Sequence, residues 1–519
     1  MAFRKLAILL TAGMMLTAAC SNGGSETEGT AQSDPDRKIT ITAMKFGYGE
    51  LPPNDAPGVK MINERFNVDY QINQVPQPSY GEKLSAVLAS GSIPDMLAFE
   101  APDISNRYVK FVKQKAFLPL DDYIKEYPSL AAVPEFVWSQ FKVDGKIYAI
   151  PKYYPRFNVL PMIRQDWLDN LGLKTPTNYE ELKQVAIAFT KNDPDQNGKN
   201  DTYGIVLGKE IVPNYNLGAY WDPAAWYHKN DKGQFIPGII SNARKEQIQW
   251  FADLYIENAI TRDFAIMDGN ALNKEFYSGK AGIFIGTPRG MIQANADSLL
   301  QLDPKAKFTF MAPAEAPDGS QGLASTSGFI GFMTISAEAG KDPEKIRRIL
   351  EMTEVPRTII PLDQSNPENK DFDWLLGGLG QGYDMVDGMA VPKPNALQDG
   401  FRPTSFLLDD VPWPKKESDK VYKYANPILD AVVQKMVKLH GSSKFYGSPH
   451  YAVYSPTQVS KGNELNKFIL DEQSKMITGQ RPVSDWDAMV QEWMAKGGAQ
   501  WIEEVNEGTT LKDPKDAWD

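Results

Sequence analysis

Cysteine is almost absent: the 519-residue chain has one, Cys20. A single cysteine cannot close an internal disulfide, so a disulfide-stapled scaffold is excluded. Histidine is nearly as scarce. His228, His440 and His450 are the three, and no H-E-x-x-H pattern joins them. A zinc protease of that type is excluded with it. No G-x-S-x-G elbow occurs, which removes one common serine nucleophile. Basic clusters are missing too. A net charge of −11 without a Lys/Arg stripe argues against nucleic acid. No solenoid-length repeat is present. After the first twenty residues, no apolar run is long enough to span a bilayer. Carboxylates are so common in this acidic chain that a pair of them says nothing about glycoside hydrolysis. The residues therefore point away from an enzyme.

What is present begins at the N-terminus. "MAFRKLAILLTAGMMLTAAC" has a basic start at Arg4 and Lys5, an apolar run from Leu6 to Leu16, and small residues up to Cys20. This predicts a secretory signal over residues 1–19, too short to be a good spanning helix. The arrangement resembles a bacterial lipobox, with Thr17 where an aliphatic residue is usual. The resemblance implies that Cys20 is lipidated, with palmitate among its acyl chains, and holds the chain on the outer face of the cell membrane. Residues 21–37 contain no aliphatic side chain larger than Ala. They cannot bury enough apolar surface to order themselves, so residues 20–37 are expected to be a lipidated, flexible tether.

From Lys38 onward the chain is too long for one core, and two lobes are expected. "KITITAMKF" alternates as a strand, "GVKMINERFN" has helical spacing, and "DYQINQVP" returns as a strand. "YGEKLSAVLASG" predicts a helix ending at Gly91, followed by a short strand "DMLAFE". Alternation of this kind predicts an α/β fold with mostly parallel sheets. Ligands bind outside the carboxyl ends of such strands, which draws attention to Glu100 and Asp103. "PTNYEELKQVAIAFTKN" predicts a helix with a capping box at Thr177 and Glu180. It runs into "KNDPDQNGKNDTYG", where Asp193, Asp195, Asn197 and Asp201 alternate around Gly198 as in the first part of an EF-hand loop. Position twelve, normally Glu, is Gly204, and "TYGIVLG" after it is strand-like.

Aromatic side chains in loops beside polar groups suit sugar rings, whose C–H faces stack while their hydroxyls hydrogen-bond. "NYNLGAYWDPAAWYHKN" supplies Tyr220, Trp221, Asp222, Trp226 and Tyr227, with a hairpin expected around the following "NDKG". "KYYPRFN" supplies Tyr153, Tyr154 and Arg156. The glycine-rich "GGLGQGYDMVDG" supplies Gln381 and Tyr383 but lacks the setting of a dinucleotide site. "FRPTSF" and "DDVPWP" add Arg402 and Trp413. For each of these, packing beneath the surface is the competing reading. Trp167, Trp250, Trp486 and Trp493 have helical settings and are expected in cores.

"ASGSIPDML" (89–97), "DGKIYAIP" (144–151), "IRQDWLDNLGLKTPTNYEEL" (163–182), "FYSGKAGIF" (276–284) and "MITGQRPVSDWDAMVQEWMAKGGAQWIEEVNE" (476–507) stand in that order. Together they resemble the extracellular solute-binding proteins of carbohydrate ABC importers, family 1. The loop at 193–204 looks like the branch with alginate-binding and related oligosaccharide-binding lipoproteins. The resemblance implies a periplasmic-binding-protein-like fold of two α/β lobes around a ligand cleft. Lobe one would hold residues 38–153 and 330–388, and lobe two residues 154–329 and 389–519. Crossings between lobes are expected near Tyr153–Asn158, Ser325–Phe332 and Asp387–Pro394. The resemblance also implies a structural calcium on the side chains of Asp193, Asp195, Asn197 and Asp201 and the Lys199 carbonyl. An oligosaccharide ligand, two permease subunits and a cytoplasmic ATPase are the implied partners of a monomer. The competing readings are a peptide-binding lipoprotein and a ligand sensor without transport, with a glycosidase further behind.

Overall fold

The computed structural model describes residues 37–513 apart from 48–49, 106, 155–159, 212–216, 285–292, 410, 415–425 and 510. The expected signal, tether and Cys20, and also Arg156, lie outside the described residues. The described residues from Lys38 onward form one compact unit. Its two large sheets use nine strands: β1 (Ile39–Gly47), β2 (Val68–Pro76), β3 (Met96–Glu100), β4 (Ile150–Tyr153), β5 (Met162–Arg164), β6 (Tyr203–Ile205), β7 (Ala281–Phe284), β8 (Phe308–Phe310) and β9 (Phe329–Ile335).

Lobe one is the sheet β2-β1-β3-β9-β4. β1 pairs in parallel with β2 from Ile39↔Val68 to Gly47↔Pro76, and with β3 on its other edge. Ile39, Ile41 and Ala43 alternate into the core, as a period of two requires. Helix α1 (Pro57–Phe66) returns the chain from β1 to β2, and α2 (Gln77–Ser90) from β2 to β3. Pro57 opens α1 at a position that needs no N–H bond, and Asn67 closes it in the left-handed region. Gly91, at φ 73°, closes α2. β9 enters from far downstream, antiparallel to β3 and β4. Its Gly331 lies so close to β3 that a Cβ would sit 2.6 Å from the Phe99 carbonyl oxygen.

Lobe two is the sheet β8-β5-β7-β6. α3 (Tyr179–Lys191) packs Leu182, Val185, Ala186 and Phe189 against it. The cap of α3 lies one residue later than the sequence suggests. Asn178 accepts from the Glu181 N–H at 2.9 Å, and the Glu181 carboxylate accepts from both the N–H and the hydroxyl of Thr177 at 2.8 Å. Asn caps as well as Thr does, and its side chain reaches the orphan N–H from the nearer position. Trp167, Trp250, Trp486 and Trp493 are all buried here. The hairpin around "NDKG" forms between His228–Lys229 and Phe235–Ile236. Among the described residues, no helix is long and apolar enough to cross a membrane.

β4 belongs to lobe one and β5 to lobe two, so the first crossing falls between Tyr153 and Met162. The second falls between Ala324, in a lobe-two cluster, and Phe329, in the lobe-one core. The two crossings touch: the Tyr154 N–H donates to the Gly328 carbonyl at 3.0 Å. The expected third crossing at Asp387–Pro394 is not there. Tyr383–Val386 and Met389–Pro392 form an antiparallel hairpin instead. Asp387 and Gly388 make its two-residue turn at φ 50° and 76°, the conformation that Asp-Gly favours. Phe406, Leu407, Leu408 and Trp413 then join the lobe-one core, and Leu429 belongs to lobe two. Residues 389–413 therefore belong with lobe one, and the third crossing lies between Trp413 and Leu429.

Candidate functional site

The carboxyl ends of β1 and β3 open onto a cavity of about 410 Å³. Every described residue lining it comes from lobe one, drawn from 45–100, 150–152, 330–333 and 397–409. Lys152 and Ile330 belong to the two strands that lead to the crossings. The cavity therefore occupies the position where parallel α/β sheets bind ligands, and it faces the hinge.

Two of the residues singled out in the sequence line it, Glu100 and Arg402. Glu100 ends β3 and accepts from the Gln77 amide at 2.9 Å. Asp103, one turn further on, does not line it. Asp103 is buried against Arg107, which donates to its carboxylate; burial raises its pKa and Arg107 opposes that.

The conspicuous aromatics are elsewhere. Trp221 lies flat on Tyr179, ring centres 3.7 Å apart, and edge-on to Trp250. Trp226 is 1% exposed between His450 and Trp501. Tyr227 is buried, with its hydroxyl donating to Asp318 at 2.7 Å. Tyr220 reaches Glu246 at 3.3 Å, and Asp222 accepts from the Ala224 N–H at 2.9 Å. Tyr153 packs edge-on against Trp413 at 5.2 Å, both buried. Tyr154 lies at the crossing. Tyr383 is buried, donating to Asp373 at 3.0 Å, while Gln381 is exposed on the turn before it.

The sequence reading passed over Lys45, Gln74, Lys152, Ser405 and Asp409, which line the cavity. A signal was available. Lys45 and Gln74 each stand two residues before the end of a strand, so the strand-end rule that flagged Glu100 covers both. The Lys45 ammonium donates to the carbonyls of Ser405 at 3.0 Å and Leu407 at 2.7 Å. Asp409 pairs with Arg357, whose guanidinium also donates to the Pro151 carbonyl at 2.9 Å.

In the acidic loop, Asp193 accepts from the N–H groups of Asn197 and Gly198. The Asn197 amide donates to Asp195 at 2.8 Å and to Asp201 at 3.1 Å. Burial first, then the neighbouring Asp193, pushes the Asp195 carboxyl pKa up. Among the described residues, no three acidic, His or Cys side chains gather closely as a metal-holding group. Thr202 is turned away, its hydroxyl donating to the Phe189 carbonyl at 2.8 Å.

The sequence family described as bacterial extracellular solute-binding protein matches residues 49–346. The polygalacturonan/rhamnogalacturonan-binding protein YtcQ of Bacillus subtilis (strain 168) is 27% identical over 514 residues, covering 97% of this chain and 98% of the relative. Lipoprotein LipO of the same organism is 27% identical over 520 residues, with the same coverages. The crystal structure of alginate-binding protein AlgQ2 without calcium ion superposes with a TM-score of 0.63 at 18% identity, covering 91% of this chain and 98% of that one. That likeness shows the two-lobe α/β fold. The family's members bind solutes and are not enzymes. Matched over more than half its length, the chain belongs to the bacterial extracellular solute-binding proteins.

Proposed function

We propose that the chain captures an oligosaccharide by closing its lobes, and delivers it to an ABC importer of two permease subunits and a cytoplasmic ATPase. The observation that carries this reading is the cavity at the carboxyl ends of the lobe-one strands, beside two hydrogen-bonded crossing segments. A rotation about those segments would bring lobe two over the opening. The relatives named for polygalacturonan/rhamnogalacturonan and alginate binding support a sugar polymer fragment as ligand. The Cys20 anchor would keep the protein beside its importer; a Cys20→Ser chain released into the medium is the expected signature. Thermal melting of the mature chain against neutral and acidic oligosaccharides tests the function. A sugar that raises Tm with concentration supports it. A cooperative melt that no sugar shifts, but a peptide mixture does, replaces it with the peptide reading.

The acidic loop fits a structural calcium in chemistry. Carboxylates of Asp195 and Asp201 converge on one atom, the Asn197 amide nitrogen, and a hard cation would take the same oxygens. Asp193, the Asn197 side-chain oxygen and the Lys199 carbonyl would complete the protein share, with water for the rest. The loop joins the end of α3 to β6, so the metal would tie helix to strand. Calcium at about 100-fold over its Kd would stabilise the fold by about 2.7 kcal/mol. Tm should fall on chelation with EDTA and recover with calcium. An Asp195→Asn/Asp201→Asn chain should show neither change; an EDTA response retained in that variant, or absent from the parent, overturns the assignment.

A further inference from the structure

Strand β9 carries one anomaly. Phe329 and residues 331–335 are buried, and Ile330 between them is 49% exposed. The pairing with β4 slips at that point. Phe329 faces Tyr153 and Gly331 faces Lys152, so Ile330 has no partner on β4. The register with β3 begins only at Gly331. Ile330 is thus the extra residue of a β-bulge. A bulge takes one side chain out of the ladder's alternation and re-aims it. Here it places a large aliphatic side chain in the wall of the cavity, two residues from the Gly328 carbonyl that ties the first two crossings together.

The bulge does not act alone. Leu397, which arrives from far downstream, lines the same cavity and is also 49% exposed. The Phe46 ring near the end of β1 is half-buried there, tilted against Tyr80 with ring centres 5.2 Å apart. Phe99 and Phe332 line the wall too, but both are buried and lie flat on each other, ring centres 5.0 Å apart. They support the wall, and Ile330, Leu397 and Phe46 offer apolar surface to a ligand. A single exposed aliphatic is ordinary on a protein surface. Two that converge on one concave site, one of them delivered by a bulge, call for an occupant. Glu100 and Thr404 add polar groups to the same cavity. An apolar face bordered by hydrogen-bonding groups is the complement of a pyranose, whose C–H face is bordered by hydroxyls.

Resting on the oligosaccharide reading, we propose that Ile330 and Leu397 are ligand contacts, packing against the C–H face of one sugar ring with Phe46 as the third part of that surface. Binding removes their aliphatic atoms from water. Ile330 stands on the strand that leads to the second crossing, so its contact with the ring forms next to the segments that bend on closure.

Calorimetry of the mature chain with a galacturonate trimer, and with its carboxyl-reduced galactose trimer, tests this. Ile330→Ser should weaken whichever trimer the parent binds by about ten-fold. Where both bind, the factor should be the same, since the C–H face is common to the two. Apolar burial gives binding a negative heat-capacity change, and Ile330→Ser should make it smaller in magnitude. Ile330→Val keeps most of the aliphatic surface and should stay within about two-fold of the parent. Leu397→Ser, on a separate segment, should repeat the loss without touching the bulge. The three variants should melt like the parent, because the side chains they change are half exposed in the free chain. Affinity and heat-capacity change equal to the parent's in both serine variants overturn the proposal and leave the oligosaccharide reading intact. A parent that binds neither trimer overturns both readings together.

Discussion

Asp409→Ala is expected to lower the stability of the folded chain by about 3–5 kcal/mol, a loss read from the midpoint of urea unfolding. The reason lies in what the substitution leaves behind. Arg357 is fully buried, and Asp409 is its carboxylate partner. Its other contacts are neutral: the Pro151 carbonyl at 2.9 Å and the Ser129 hydroxyl at 3.2 Å. A guanidinium cannot shed its proton to escape a dry site, so deletion of Asp409 strands a charge. The pair also joins three stretches that are distant in sequence, the short helix Pro128–Ala131 at Ser129, strand β4 at Pro151 and the 403–409 segment. A buried ion pair is not itself a strong source of stability, since desolvation offsets most of its attraction. Replacing both partners, as in Arg357→Met/Asp409→Leu, should therefore recover much of the loss. A single-site loss below about 1 kcal/mol would mean that water reaches the pair, contrary to its burial.

The lobes were legible and most of the site was not, and the difference is physical. β1, α1, β2, α2 and β3 each bury a face within a dozen residues of their own sequence, so periodicity reveals them. The acidic loop likewise announces its turn through Gly198 and its alternating oxygens. The cavity depends on contacts across the chain: Lys45 meets Ser405, 360 residues away. Nothing local marks Ser405 or Lys152 as lining a cavity. The Asp387–Gly388 turn shows a different kind of miss. Its dipeptide and the alternation of Tyr383–Val386 with Met389–Pro392 were readable as a hairpin, but the expectation of a hinge at that place displaced the local signal. Residue type misled most at the aromatics. A ring that stacks on a sugar and a ring that fills a core have the same composition around them, Pro, Gly and a few polar groups. Only burial separates them.

Trp226→Ala makes that separation measurable. It should cost about 3–5 kcal/mol in urea unfolding, while the affinity for an oligosaccharide, measured well below the melting transition, should stay within about two-fold. Trp226 is 1% exposed. Its ring lies 5.5 Å from Trp501 and 5.9 Å from His450, and the backbone N–H of Trp226 donates to the Ser448 hydroxyl at 3.0 Å. It thereby ties the 219–227 segment to the 448–450 turn and to the C-terminal helix Ala499–Gly508. Truncation leaves a cavity that close-packed neighbours relax into only in part. The contrast is with Lys152→Gln at the cavity, where oligosaccharide binding should fall and stability should change little. Two variants with opposite readouts distinguish a supporting core from a contact surface better than either alone. Should Trp226→Ala instead lose ligand ten-fold and destabilise by less than about 1 kcal/mol, the aromatic segment would be part of the binding surface. The lobe-one cavity would then be only one wall of the site.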